Sequence, residues 1–178
     1  MADTLTIEDI HEGIKEALSK AFPSLETVDD YPTEEGKIAT PAAFLNLAAI
    51  EPDDEGDGDD GTERLISTLR WELSLVLGKV PTKEIKRQTR VMAANVSLWV
   101  KGNRFGLRVR PAAFMRAEPD DFSPVLSRYA PWVVEFEQTV ALGESVWDDT
   151  AVVPDAIYVS MVPYTGLEHV DDYVEVTA

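Results

Sequence analysis

The side chains with the greatest chemical potential in this sequence are carboxylates, and they are concentrated. Residues 51–61 read EPDDEGDGDDG, with seven carboxylates, three glycines and one proline in eleven positions. Alternating carboxylates before a glycine are what a calcium loop needs: ligands at positions 1, 3 and 5, glycine at 6 and glutamate at 12. Counting from Gly58 gives Asp53, Glu55 and Asp57 but places Arg64 at position 12. The frame on Gly56 ends at Thr62, and the frame on Gly61 begins at Gly56. No frame completes the motif, so a solvated, mobile loop is expected, with no metal.

Other constellations are equally incomplete. The two histidines, His11 and His169, stand in no HExxH pattern; His11 is expected on a helix surface and His169 in a loop. Adjacent carboxylates at Asp29-Asp30, Asp148-Asp149 and Asp171-Asp172 suit turns. There is no P-loop, GxGxxG or GxSxG. The absence of cysteine excludes disulfides, thiolate zinc sites and a cysteine nucleophile. These readings predict no catalytic residue, no cofactor and no enzyme.

The elements that would position these groups are legible. With 178 residues, 44% of them apolar and 28% charged, the chain suits a folded domain. Residues 6–22 place Ile7, Ile10, Ile14, Leu18 and Ala21 at helical spacing. Thr6 and Asp9 match a capping box, Leu5 and Ile10 a hydrophobic staple, and Pro23 a stop. After a polar link, VDDYPTEEGK, residues 41–50 read as a strand. Residues 65–77 alternate, with Leu69, Trp71, Leu73 and Leu75 on one side and Thr68, Arg70, Glu72 and Ser74 on the other. So long a strand must bend or project as part of a hairpin.

A second helix is predicted over 82–101, with Ile85, Thr89, Met92, Val96 and Trp99 or Val100 inward and Gly102 at its end. Strands follow at 111–118 and 131–142, then a short strand at 156–162 and an extended segment near 170–176. PAAF at 41–44 recurs at 111–114 and EPDD at 51–54 recurs at 118–121, an echo that suits two similar helix–hairpin halves. The order predicts an α+β domain over 1–150: a mainly antiparallel four- to five-stranded sheet, two helices packed on one face, and a long projecting β-hairpin. Residues 151–178 are expected to be an extension packed on, or exchanged between, subunits.

Charge is unevenly distributed. The formal total is −17, yet residues 79–116 hold ten of the sixteen bases and the single acid Glu84, a local +9 that leaves −26 elsewhere. An acidic chain has no general affinity for nucleic acid backbone. A basic patch on an acidic remainder suits head-to-tail self-association, which closes into a ring when the rotation permits. Lys83, Lys86, Arg87, Arg90, Arg104 and Arg108 are the expected interface bases, and Trp147 the expected interface anchor. The opening MADTLTIEDIHEGIKEAL carries carboxylates where an export signal is basic and then apolar, and no apolar run reaches membrane-spanning length. A chain neither exported nor membrane-bound is expected.

Four stretches carry a resemblance: the first helix ending in AFPSLETVDDYP, the strand TPAAFLNL, the strand RWELSLVL after its acidic loop, and WVVEFEQTVALGESVW. Across most of residues 5–147 the chain resembles the tail terminator (tail completion) proteins of long-tailed bacteriophages. The resemblance implies a structural ring, commonly a homohexamer, that caps the tail tube, ends its polymerisation and meets the head-completion or neck protein. It implies a virion location after assembly in the host cytoplasm, a tail tube partner, a sheath partner where the tail contracts, and DNA passing without specific binding. Asp53, Asp54, Glu55, Asp57, Asp59 and Asp60 would then line the channel or touch the neighbouring ring. The alternatives are a neck or tail-tube subunit, an acidic binding module, and a divalent-metal hydrolase using the paired carboxylates.

Overall fold

Two capped helices and two β-hairpins make up most of the described residues before 147. Helix α1, Ile7–Ala21, starts at Thr6, whose hydroxyl accepts from the Asp9 N–H at 3.1 Å while the Thr6 N–H donates to Asp9 Oδ2 at 2.9 Å. This is the predicted capping box. The Thr6 hydroxyl and amide hold the Asp9 carboxyl below its ordinary range. Ile10, Ile14 and Leu18 are fully buried along one stripe.

The computed structural model describes residues 4–30, 38–53, 61–78, 80, 82–120, 126, 129, 131–146 and 157–176. They fall into two compact units, one within residues 3–146 and a smaller one within 147–178. In the larger unit α1 is followed by β1 (Thr27–Asp30), β2 (Ala42–Pro52), β3 (Leu65–Val76), α2 (Lys83–Val100), β4 (Ala113–Pro119) and β5 (Trp132–Leu142). The sheet order is β1-β2-β3-β5-β4, antiparallel except for the parallel β1–β2 pair. The fold class is α+β, as the sequence predicts.

Alternation in β3 sets the layers. Leu69, Trp71, Leu73 and Leu75 are wholly buried, and Val134, Phe136 and Val140 of β5 join them with buried residues from both helices in one core. Register places Trp71 opposite Phe136, with rings 6.5 Å apart and stacked. Beyond α2, Gly102 takes φ +77°, the left-handed stop that glycine permits. Phe105 takes φ +53°, and its N–H donates to Asn103 Oδ1 at 2.8 Å. The Phe105 ring then reaches both Phe136, at 5.7 Å, and Trp99, at 5.1 Å.

Several expectations need correction. Val28, Asp29 and Asp30, expected in a polar link, pair with Thr27 along the start of β2 as edge strand β1, extending the four core strands to five. Helix α2 buries Thr89, Val96 and Val100 as expected but also Ala93, which the sequence reading omits, while Met92 and Trp99 pack half-buried against the same core. His11 is not a surface residue: its side chain is 12% exposed and its ring meets Trp71 edge-on at 4.7 Å. Strand β3 is flanked by β5 along 65–75 and by β2 along 67–76, so the described part of the long hairpin lies within the sheet. Its tip, 54–60, lies outside the described residues.

The sheet order β2-β3-β5-β4 is what two helix–hairpin halves related by an approximate two-fold axis would give, with β3 and β5 meeting at the centre. The repeated PAAF segments occupy unlike surroundings, however. Ala43 and Phe44 are buried in β2, whereas Ala113 and Phe114 are exposed on the edge strand β4. On the opposite sheet face, Ala42, Phe44 and Val76 form a small second core with Leu126 and Tyr129.

Asp30 fastens β1 to α1. Its Oδ1 lies 3.0 Å from His11 Nδ1, and its Oδ2 accepts from Lys15 Nζ at 3.0 Å; Lys15 also meets Glu12 at 2.7 Å. Burial pushes the Asp30 carboxyl up, but the bonds from Lys15 and His11 outweigh it and leave the group below its ordinary 3.8. A carboxyl lowered by folding stabilises the native state above its ordinary value, and that contribution is lost as pH falls through the folded value. Asp30→Asn is expected to destabilise the protein by about 1 kcal/mol at neutral pH. In urea titrations that difference should shrink below pH 3.8; an unchanged difference at lower pH would refute the assignment.

Candidate interaction surfaces

The bases singled out in the sequence fall into two groups. Lys83, Lys86, Arg87 and Arg90 are exposed on the N-terminal half of α2, where with Glu84 they line a shallow depression. Thr82 caps the helix, accepting from the Ile85 N–H at 3.2 Å. Glu84 binds Arg87 at 3.0 Å, and that bond holds its carboxyl below the usual range. Among the described residues no carboxylate forms an ion pair with Lys83, Lys86 or Arg90. Arg104 and Arg108 are exposed on the loop beyond the C-terminal end of α2, which is roughly 27 Å long at 1.5 Å per residue.

This arrangement is locally unfavourable. Lys83/Arg87 and Lys86/Arg90 are like-charged pairs four residues apart, and such pairs destabilise a helix. Lys83, at the first helical position, also stands at the positive end of the helix dipole. Further along, the outward stripe turns apolar: Val91 is 56% and Leu98 75% exposed, with Ala94 between them.

Away from the small Phe44–Val76 core, the sheet face opposite the helices is polar and mostly satisfies itself. Arg70 bridges Glu51 at 2.9 Å and Glu137 at 3.2 Å; Arg116 meets Glu135 at 2.6 Å and Glu118 at 3.3 Å. Glu135 and then Glu118 push the Arg116 guanidinium further up. Thr68 and Thr139 stand 3.3 Å apart, and Asn46 donates to Glu72 at 3.0 Å. The sequence places Asp53 in the acidic loop. Its side chain is only 9% exposed and lies 3.4 Å from Arg110, so it belongs to the groove on this face with Glu51, Arg70 and Glu137.

Asp54, Glu55, Asp57, Asp59, Asp60 and Trp147 lie outside the described residues. Among the described residues no group of three or more histidines and carboxylates could hold a metal ion, and no helix is long and apolar enough to cross a membrane. His169, expected in a loop, lies within a 3-10 turn, Leu167–Asp172, 3.0 Å from Asp172.

Sequence reading overlooks the surface of the smaller unit. Strands β6 (Ile157–Val159) and β7 (Val174–Val176) pair antiparallel around that turn. None of residues 158–176 is buried, and Met161, Val162 and Leu167 are 81%, 84% and 95% exposed. The only signal in the sequence is a cluster of large apolar residues without the period of a buried element.

What the larger unit defines is an α+β domain presenting charged surfaces. No protein-family model matches the chain, and no curated protein matches it. Among solved structures it is similar to a chain from the virion of a native gene transfer agent particle. The identity is 15% and the TM-score 0.49, with 74% of this chain and 94% of that chain covered.

The unfavourable charge on α2 yields a test. Lys86→Glu replaces the like-charged pair with Arg90 by an acid four residues before a base, and it sets a negative charge near the helix start. The variant subunit is expected to gain about 0.5–1 kcal/mol of stability. Denaturant unfolding at low ionic strength measures this, and a loss of stability would show that Lys86 is balanced from within the subunit.

Proposed function

We propose that this chain is a structural subunit of a phage-like virion, forming a ring that caps the tail tube, ends its polymerisation and offers a joining surface to the head or neck. The basic half of α2 carries this reading. Four exposed bases are gathered on one half of a helix, three of them without a carboxylate partner among the described residues, on a chain whose remainder is strongly acidic. An acidic surface on a neighbouring copy relieves that repulsion, and a heterologous contact of this kind closes into a ring. The resemblance to tail terminators gives the ring its place and its partners: the tube protein, the head-completion protein, and a sheath protein where the tail contracts. The role is structural and involves no catalysis.

In this reading the carboxylates at 54–60 face the channel or the adjacent ring, where negative charge repels DNA phosphates and lets the genome pass. Arg104 and Arg108, at the far end of α2, suit a contact with another virion component.

Two measurements test the ring. Electron microscopy of the purified protein should show closed rings that do not grow; long cylinders would point to a tube subunit, and monomers at every concentration would remove the ring. Sedimentation should show the ring loosening as salt rises from about 0.05 to 0.5 M, because screening shortens the reach of exposed charges. The channel role has its own test. Deleting residues 54–60 should leave ring formation intact and impair tail joining or DNA delivery, and normal particle infectivity in that mutant would remove the role.

A further inference from the structure

We infer that the smaller C-terminal unit of one copy docks on the outward face of α2 in a second copy, an inference that rests on the ring reading and names the contact that builds it. The smaller unit is poorly equipped to stand alone. Its described residues form a two-stranded hairpin around a 3-10 turn, and such hairpins are marginal in water without a surface to pack against. Its internal ties are local: the Gly166 N–H donates to Tyr173 Oη at 2.9 Å, and Tyr164 meets the His169 ring edge-on at 5.8 Å. Met161, Val162, Leu167 and Val174 are each at least 70% exposed. Apolar surface on that scale marks a contact.

The chemistry of the unit identifies its partner. Residues 157–176 contain Glu168, Asp171, Asp172 and Glu175 and no lysine or arginine, so the unit offers carboxylates interleaved with large apolar side chains. The outward face of α2 is its complement in both respects. Lys83, Lys86, Arg87 and Arg90 occupy one half, and Val91 and Leu98 stand exposed on the other. A nucleic acid would engage the bases and leave the apolar stripe wet, whereas an acidic, apolar arm covers both. Complementary charge sets the register of such a contact, and the apolar stripe supplies the burial.

The arm of one copy meets a different surface on another copy, so the docking predicts complementation between two defective chains, and the ring reading makes it head to tail. One full-length variant carries Glu168→Lys, Asp171→Lys and Glu175→Lys; the other carries Lys86→Glu, Arg87→Glu and Arg90→Glu. All six positions are exposed, and circular dichroism checks that both variants fold. Each variant alone should associate on the order of 100-fold more weakly than the parent in sedimentation velocity. An equimolar mixture should recover parental assembly, with the two variants alternating. Parental assembly by the arm variant alone would overturn the inference and leave the ring standing. Rescue within one chain carrying all six changes, without rescue by mixing, would place the contact inside a single copy and also overturn it. A parent that never associates would remove the ring reading itself.

Discussion

The pairing of β3 with β5 is the constraint on which the larger unit depends. Side chains alternate along a strand, so a slip of one residue would bring Arg70 and Glu137 under the helices and turn Trp71 and Phe136 to solvent. No other packing could absorb buried charges at those positions. The stacked Trp71 and Phe136 rings lock the register, and contacts continue through Phe105 to Trp99 and then to Phe22 at the end of α1. One aromatic path thus joins the centre of the sheet to both helices.

The same pairing separates the two chemistries of the unit. One sheet face is dry and covered by α1 and α2. The other carries the small Phe44–Val76 core at one end and, beyond it, carboxylates and guanidinium groups that largely neutralise one another, as in Glu51–Arg70–Glu137. The bases of α2 behave differently. They stand on the outer side of the layer that covers the core, and within the described residues only Arg87 among the four finds a carboxylate. Within the described residues Lys83, Lys86 and Arg90 meet no carboxylate, and the ring reading grows from that asymmetry.

Much of the fold is legible in the sequence because it rests on periodicity. The Leu69–Leu75 alternation and the Ile10–Ile14–Leu18 stripe give the layers directly, and Thr6–Asp9 gives the start of α1. Strand β1 is hidden because TVDD has neither alternation nor apolar weight; backbone pairing to β2 makes it a strand, and the bonds from His11 and Lys15 to Asp30 fix it to α1. The inward face of α2 is legible through Thr89, Val96 and Val100, but the buried Ala93 is missed because a single methyl adds little to an apolar stripe. Among the site residues, clustering of the four bases follows from helical spacing. Their separation from Arg104 and Arg108, and the capture of Asp53 by Arg110, depend on contacts distant in sequence and leave no local trace.

The outer strand β4 has a consequence for how far such molecules can aggregate. Its register shifts between Phe114 and Arg116, and it carries Arg116, Glu118 and Pro119 along the rim. A kinked, charged, proline-bearing border is a poor template for main-chain addition by another molecule. At this edge, fusion of the sheet with a strand from another molecule is therefore discouraged.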